Sequence, residues 1–196
     1  LNDNNELWYR LCQIVVNNPQ LRKLTCHNLL GYLVKRHTSE YIVKTAAFLL
    51  GQYPSLIVKQ ISVDNLFSIF AEKYYTVFNM TKAMILTTMI QLYKFEPNLV
   101  GSKIIKFFQL ELNSLDIELQ TRAYEYLKII QISKMSGNMT LINTLFETMP
   151  SFNTKSNPLL KRLGGLQQDN HSNNSDIEFS KLTISNKISS DDSSKD

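Results

Sequence analysis

Between Met80 and Phe95 the chain is apolar around almost the whole circumference of a helix. Met84, Ile85, Leu86, Met89, Ile90, Leu92 and Tyr93 leave no polar face wide enough to meet water. A helix that is hydrophobic all round must be covered on most sides. This one therefore belongs in the middle of a larger assembly, and the sequence on either side has to supply its cover.

That cover reads as more helix. Asp116–Gln131, DIELQTRAYEYLKIIQ, places Leu119, Ala123, Leu127 and Ile130 at i, i+4, i+8 and i+11, one face of a helix at 3.6 residues per turn. Asp116 and Glu118 stand at its start, where acids suit the exposed amides and the positive dipole end. Glu118 and Arg122 are four apart with the acid first, the favourable order. Upstream, Glu6–Val16 carries Leu7, Leu11, Ile14 and Val15 on one side. Asn18 is placed to cap a helix that opens with Pro19, runs to about Arg36 and turns Cys26, Leu29, Leu30 and Leu33 inward. Thr38 or Ser39 caps a third, lined by Ile42, Ala46, Leu49 and Leu50, with Gly51 as its C′ residue and Pro54 beyond.

Val63–Phe70 is predicted helical, and Tyr74, Tyr75, Val77 and Phe78 a bridging turn. Pro97 opens a helix with Val100, Ile104, Phe107 and Phe108 inward; a shorter one spans Leu141–Met149 and stops at Pro150; Leu159, Leu160 and Leu163 form a last turn. No strand alternation interrupts the series, and links of two to six residues force neighbours antiparallel. The fold class expected is all-α. It is an α-solenoid of HEAT/armadillo-like antiparallel helix pairs with a period of roughly 40 residues, and a bundle is the alternative.

From Gly164 the composition changes to Gln, Asn, Ser and Asp with single apolar residues. Such a segment buries too little surface to offset chain entropy. The domains expected are 1–163, the helical repeats, and 164–196, a disordered linker. Residues 164–196 hold three Lys and six acids, residues 1–163 eighteen bases and eleven acids. The bases are scattered, the pattern of a solvated face rather than a nucleic-acid stripe. Ser189 and Ser190, before Asp191-Asp192, would suit an acid-directed kinase. The chain opens on Leu1, and it is read as part of something longer.

Reactive chemistry is hard to assemble from these residues. Cys12, Cys26, His27, His37 and His171 fit no zinc spacing. Cys26 reads as a small core residue. Two cysteines make no disulfide framework, so a reducing setting is expected, and the sequons at Asn79, Asn138 and Asn173 are chance matches. No phosphate loop, nucleophile elbow or paired-carboxylate site stands out, and Glu111, Asp116 and Glu118 belong to a helix end and its cap. No stretch approaches the about twenty apolar residues of a membrane span. Tyr32, Tyr41, Phe48 and Tyr93 sit at core spacing rather than on a shared base-stacking face, and Trp8 reads as a buried anchor. No catalytic, cofactor-binding or metal-ligating residue is assigned. The residues alone indicate a helical-repeat scaffold that binds other proteins, with its partner-interface residues unknown.

Four segments carry a resemblance. ELWYRLCQIVV (Glu6–Val16), EYIVKTAAFLLGQY (Glu40–Tyr53), DIELQTRAYEYL (Asp116–Leu127) and LFETMPSFNTKSNPLLKRL (Leu145–Leu163) resemble the alpha-adaptin family, large subunits of the plasma-membrane clathrin adaptor complex, in matching order and spacing. Residues 55–75 and 21–34 depart from the pattern of vertebrate-like members of the family. The resemblance implies the C-terminal part of an adaptin-type trunk over 1–163 and the start of the hinge over 164–196. It implies a non-enzymatic scaffold without cofactors, in endocytosis and vesicular protein transport. The partners implied are beta-type large, medium and small adaptor subunits, with clathrin and accessory proteins reached through other parts of the protein. A phosphoinositide membrane would be met through the whole complex, and no nucleic acid. The location implied is cytoplasmic, peripheral at plasma-membrane coated pits. A gamma-type large subunit of a Golgi or endosomal adaptor, or an unrelated helical-repeat scaffold, is the alternative.

Overall fold

A computed structural model describes residues 7–152. The last turn expected at Leu159–Leu163, His171, the Asn173 sequon, the Ser189–Ser190 site and the 164–196 linker lie outside them. The described residues form eight α-helices and no strand: α1 (Leu7–Asn17), α2 (Pro19–Leu33), α3 (Glu40–Gln52), α4 (Val63–Tyr74), α5 (Asn79–Phe95), α6 (Pro97–Glu111), α7 (Ile117–Ser136) and α8 (Thr140–Leu145), with a 3-10 turn at Pro54–Leu56 before α4.

Hydrogen bonds reveal how the helices are ordered. In one set, Thr81 donates to Glu40, Thr88 donates to the Ala47 carbonyl at 2.7 Å, Asn79 donates to Asp116 at 2.7 Å, and the Thr87 and Tyr126 hydroxyls meet at 2.8 Å. In the other, Lys73 donates to the Lys35 carbonyl at 2.6 Å, Tyr74 donates to Glu111 at 2.7 Å, and Lys103 pairs with Asp64. Every one of these ties joins residues 37 to 41 apart. The first set links only odd-numbered helices and the second only even-numbered helices or the turn just after α2. N-terminal ends meet N-terminal ends, so helices within a row run parallel, while consecutive helices, joined by short turns, run antiparallel. Two rows of this kind, with a period close to the expected 40 residues, are the architecture of helix-pair repeats.

The α5 helix lies where the sequence places it. It packs against α3, α4, α6 and α7, and Ile85, Leu86, Met89, Ile90 and Leu92 have no exposed surface. Burying a side chain of that size contributes about 1.5–3 kcal/mol, so this one helix is the centre of the core. The predicted inward sets of α2 (Cys26, Leu29, Leu30, Leu33) and α6 (Val100, Ile104, Phe107, Phe108) are buried.

Several expectations are corrected. In α1 only Val15 of the expected inward set is buried, together with Cys12 and Val16, whereas Leu7, Leu11 and Ile14 are exposed; α2 and α3 both pack on α1 and select the side that carries Cys12 and Val16. Trp8 is half-buried at the rim of the core and stacks edge-on to Tyr9 at 6.0 Å. Gly51 is no C′ residue. It is buried inside α3, and a Cβ there would stand 2.2 Å from Gln91 Oε1, so the glycine permits the close approach of α3 and α5. The helix ends because Tyr53 precedes Pro54 and takes φ −126° and ψ 49°.

Helix bounds and caps also differ. The α2 helix stops at Leu33, and Thr38 Oγ1 donates to the carbonyls of Tyr32 and Lys35 at 3.0 and 2.9 Å, closing its C-terminal end rather than opening α3. Asn18 is the N-cap of α2 by position, but its side chain donates backwards to Ile14 at 2.7 Å. Ser39 is the N-cap of α3 without a side-chain bond. The α4 helix continues to Tyr74, which is buried, while Tyr75 and Phe78 are exposed. The α8 helix ends at Leu145, short of the expected Met149. Tyr32 and Tyr41 are exposed and Phe48 half-buried; of the four aromatics expected in the core only Tyr93 is buried.

Candidate interaction surface

The chemically reactive side chains are kept apart. Cys12 in α1 and Cys26 in α2 are buried, unbridged thiols, pushed by burial up to about 12 and about 11. A thiol so far above its ordinary value stays protonated and poorly nucleophilic at neutral pH. His27 is exposed, with Nδ1 2.7 Å from Gln60 Oε1, and His37 is exposed beyond the end of α2. Among the described residues no three His, Cys, Asp or Glu are grouped to hold a metal ion. Glu111 accepts from Tyr74, Asp116 caps α7 by accepting from the Leu119 amide at 3.1 Å, and Glu118 pairs with Arg122. Each carboxylate is thus engaged in structure: Glu111 and Asp116 bridge helices, and Glu118 braces the first turns of α7.

What these residues build instead is relief. An open groove of about 420 Å3 runs between α3, α5 and α7. Its floor is apolar, with Ala47, Phe48, Met80 and Met84. One wall is polar: Arg122 donates to Thr87 at 2.9 Å, beside the Arg122–Glu118 pair and Tyr126. Methionine suits such a surface because its flexible thioether repacks against different partners. A second groove, of about 450 Å3, separates α6 from α7 and is lined by Ile105, Leu112, Tyr124, Leu127, Lys128 and Met135. Beyond the grooves, Leu7, Leu11 and Ile14 on α1 and Leu21 and Leu24 on α2 expose large apolar side chains at one end of the rows, and Ile132 and Met135 on α7 at the other. Large apolar side chains left exposed on helix faces are candidate points of contact with other macromolecules.

Sequence reasoning left the interface unassigned, and the reason is visible. Phe48, Met80 and Met84 read by type as core residues, and only the placement of α3, α5 and α7 in one row leaves them lining a groove. The inward reading of Leu7, Leu11 and Ile14 concealed the end face. No helix among the described residues is long and apolar enough to cross a membrane.

Comparison with known proteins adds the lineage. The family described as the adaptin N terminal region matches residues 3–134. The chain is 64% identical over 166 residues to the AP-2 complex subunit alpha of Saccharomyces cerevisiae, an alignment covering 85% of this chain and 16% of that protein. It is 31% identical over 165 residues to AP-2 complex subunit alpha-1 of Arabidopsis thaliana, covering 81% of this chain and 16% of the relative. Against the AP-2 complex subunit alpha of Schizosaccharomyces pombe the identity is 24% over 181 residues, covering 78% and 20%. The chain thus spans between 16% and 20% of the length of these relatives. With a family match across most of its helical part, two parallel rows of helices and these identities, the chain belongs to the adaptin N-terminal-region family.

Proposed function

We propose that this chain is a scaffold segment of an alpha-type large subunit of a plasma-membrane clathrin adaptor, acting in endocytosis and vesicular protein transport. The observation that carries the reading is the 64% identity to the yeast AP-2 alpha subunit over 85% of the chain. The other relatives described above are AP-2 alpha subunits too, which favours the alpha over the gamma type. In this reading residues 1–163 are the closing part of the trunk and residues 164–196 begin the hinge. Two features support that position: the family match stops at residue 134, and the composition turns polar from Gly164.

The work done is contact. Helix rows present long faces against which partner subunits bury apolar area, and the grooves between α3, α5 and α7 and between α6 and α7 are surfaces of that kind. The partners are the beta-type large, medium and small subunits, and the location is peripheral at coated pits. No catalytic residue, cofactor or metal enters this function. Co-purification of the intact protein from its native cells tests it: the expected co-eluting chains are one beta-type large, one medium and one small adaptor subunit. Recovery of a Golgi-type set would transfer the chain to the gamma class, and recovery of no adaptor chain would overturn the proposal.

A further inference from the structure

Past α8 the chain turns back across the C-terminal ends of the odd-numbered helices. Three of its backbone positions are held, each by a side chain from a different helix. The Phe146 carbonyl accepts from Lys94 Nζ of α5 at 2.7 Å. The Met149 amide donates to Gln52 Oε1 of α3 at 3.0 Å. The Phe152 amide donates to Asn17 Oδ1 of α1 at 2.7 Å, and the Phe152 carbonyl accepts from Asn17 Nδ2 at 3.1 Å. Asn17 and Gln52 are the last residues of α1 and α3, and Lys94 the last but one of α5. Aromatic contacts fasten both ends: Phe146 stacks edge-on to Tyr126 of α7 at 5.6 Å, and Phe152 to Tyr9 of α1 at 6.3 Å.

The held positions are 146, 149 and 152, one every three residues. Three residues of extended chain reach about 10 Å, and packed helices stand about 8–10 Å apart. The segment therefore advances one helix for every three residues. Pro150, which has no N–H to give, falls between two held positions, and the side chains of residues 147–151 are all exposed, so the segment is held mainly through its backbone and its two end phenylalanines.

We propose that residues 146–152 are a spacing strap that fixes the separation of α1, α3 and α5 and makes the first helix pair depend on the last. In a stack of repeats each unit contacts only its neighbours, and stability is close to a sum of local terms. A direct bond across 135 residues of sequence departs from that scheme. Opening α1 requires either breaking its reciprocal pair with Phe152 or lifting the strap from α3 as well. The same bonds resist any change of curvature that spreads the C-terminal ends of the row, so the groove between α3, α5 and α7 keeps its width.

Hydrogen exchange on the intact protein tests this with two variants that leave α1 untouched. One inserts a single glycine between Pro150 and Ser151, which shifts Phe152 out of register with Asn17. The other is Gln52→Ala, which removes the acceptor for Met149 in the middle of the strap. Both are expected to speed exchange of the strap amides about tenfold and to speed exchange at the C-terminal turn of α1 with them, while the centre of α5 keeps its protection. The proposal is overturned if the strap amides keep their protection after the insertion. It is equally overturned if in either variant they are released and α1 exchanges as before, because the segment would then be a passive tail.

Discussion

Lys73 is the side chain that sequence pattern describes least well. It stands among scattered bases that read as a solvated face, yet it is buried, with its ammonium on the Lys35 carbonyl at 2.6 Å and the Arg36 carbonyl at 3.3 Å. A cation at the C-terminal end of a helix is favourable both as a donor and against the dipole. Lys73→Met keeps the stem and removes the donor. The freed carbonyls belong to exposed residues and can turn to water, so the expected loss is about 1.5 kcal/mol, the low end for a charged hydrogen bond, read from urea unfolding. Cys26 was legible by contrast, since it falls on the apolar face of α2, whereas Cys12 was left off the inward set of α1 and is buried too. Their burial sets a pH limit. The ordinary thiol value is 9.0, and the folded values are about 12 for Cys12 and about 11 for Cys26. A raised folded value means that this contribution to stability is intact below pH 9 and is lost as pH climbs towards 11 and 12. The urea midpoint is expected to fall between pH 8 and pH 10.5, and less so in the Cys12→Ala, Cys26→Ala double variant. A thiol reagent at pH 8 is expected to label neither cysteine until the protein unfolds.

Helices were legible wherever apolar spacing and a start signal coincided, and their ends were not. The α7 helix has both. Asp116 was read at its start, and its carboxylate does accept from the Leu119 amide while also accepting from Asn79 of α5. The helix then runs past Gln131 to Ser136 and closes at Gly137, whose φ of 65° is left-handed. That end was missed because the expected apolar series halts at Ile130, whereas Ser133, a small polar residue, occupies the next buried position. The two ends are expected to fail for different reasons. Asp116→Ala removes an N-cap, worth about 1 kcal/mol, and also strands the Asn79 amide, which is exposed and can rehydrate. Gly137→Ala meets no neighbouring atom, so its cost is the backbone conformation alone, about 1–2 kcal/mol. In denaturant titrations both should move the midpoint and leave the slope unchanged. Adding Asn79→Ala to Asp116→Ala should cost little more, because the pair is already broken. Gly51 was misread for the converse reason: a glycine before a proline signals an end locally, and its use as a contact point for α5 appears only across the row.

The two-row arrangement was legible from the period, since most of the ties that join helices within each row, the closing segment 146–152 apart, span 37 to 41 residues. The outer limits of the rows were not legible. An amphipathic pattern reports that a face is apolar and does not report which neighbour arrives to cover it; on α1 two apolar faces compete, and α2 and α3 take the one with Cys12, Val15 and Val16. The same logic makes α5 decisive. Leu86 has no exposed surface and its helix meets both rows, so Leu86→Ala removes buried methyl groups where no adjacent solvent can fill the space. The expected cost is about 2–5 kcal/mol, and it should appear as lost exchange protection in α3, α4, α6 and α7 together. Leu24 on α2 is 61% exposed, and Leu24→Ala should stay within about 0.5 kcal/mol. If Leu86→Ala instead weakened α5 and α6 alone, the helix pairs would be unfolding as separate repeats and the two rows would not be one cooperative body. A uniform loss across both rows would mean that they unfold as one cooperative body, with the grooves between α3, α5 and α7 and between α6 and α7 set by the chain's own packing.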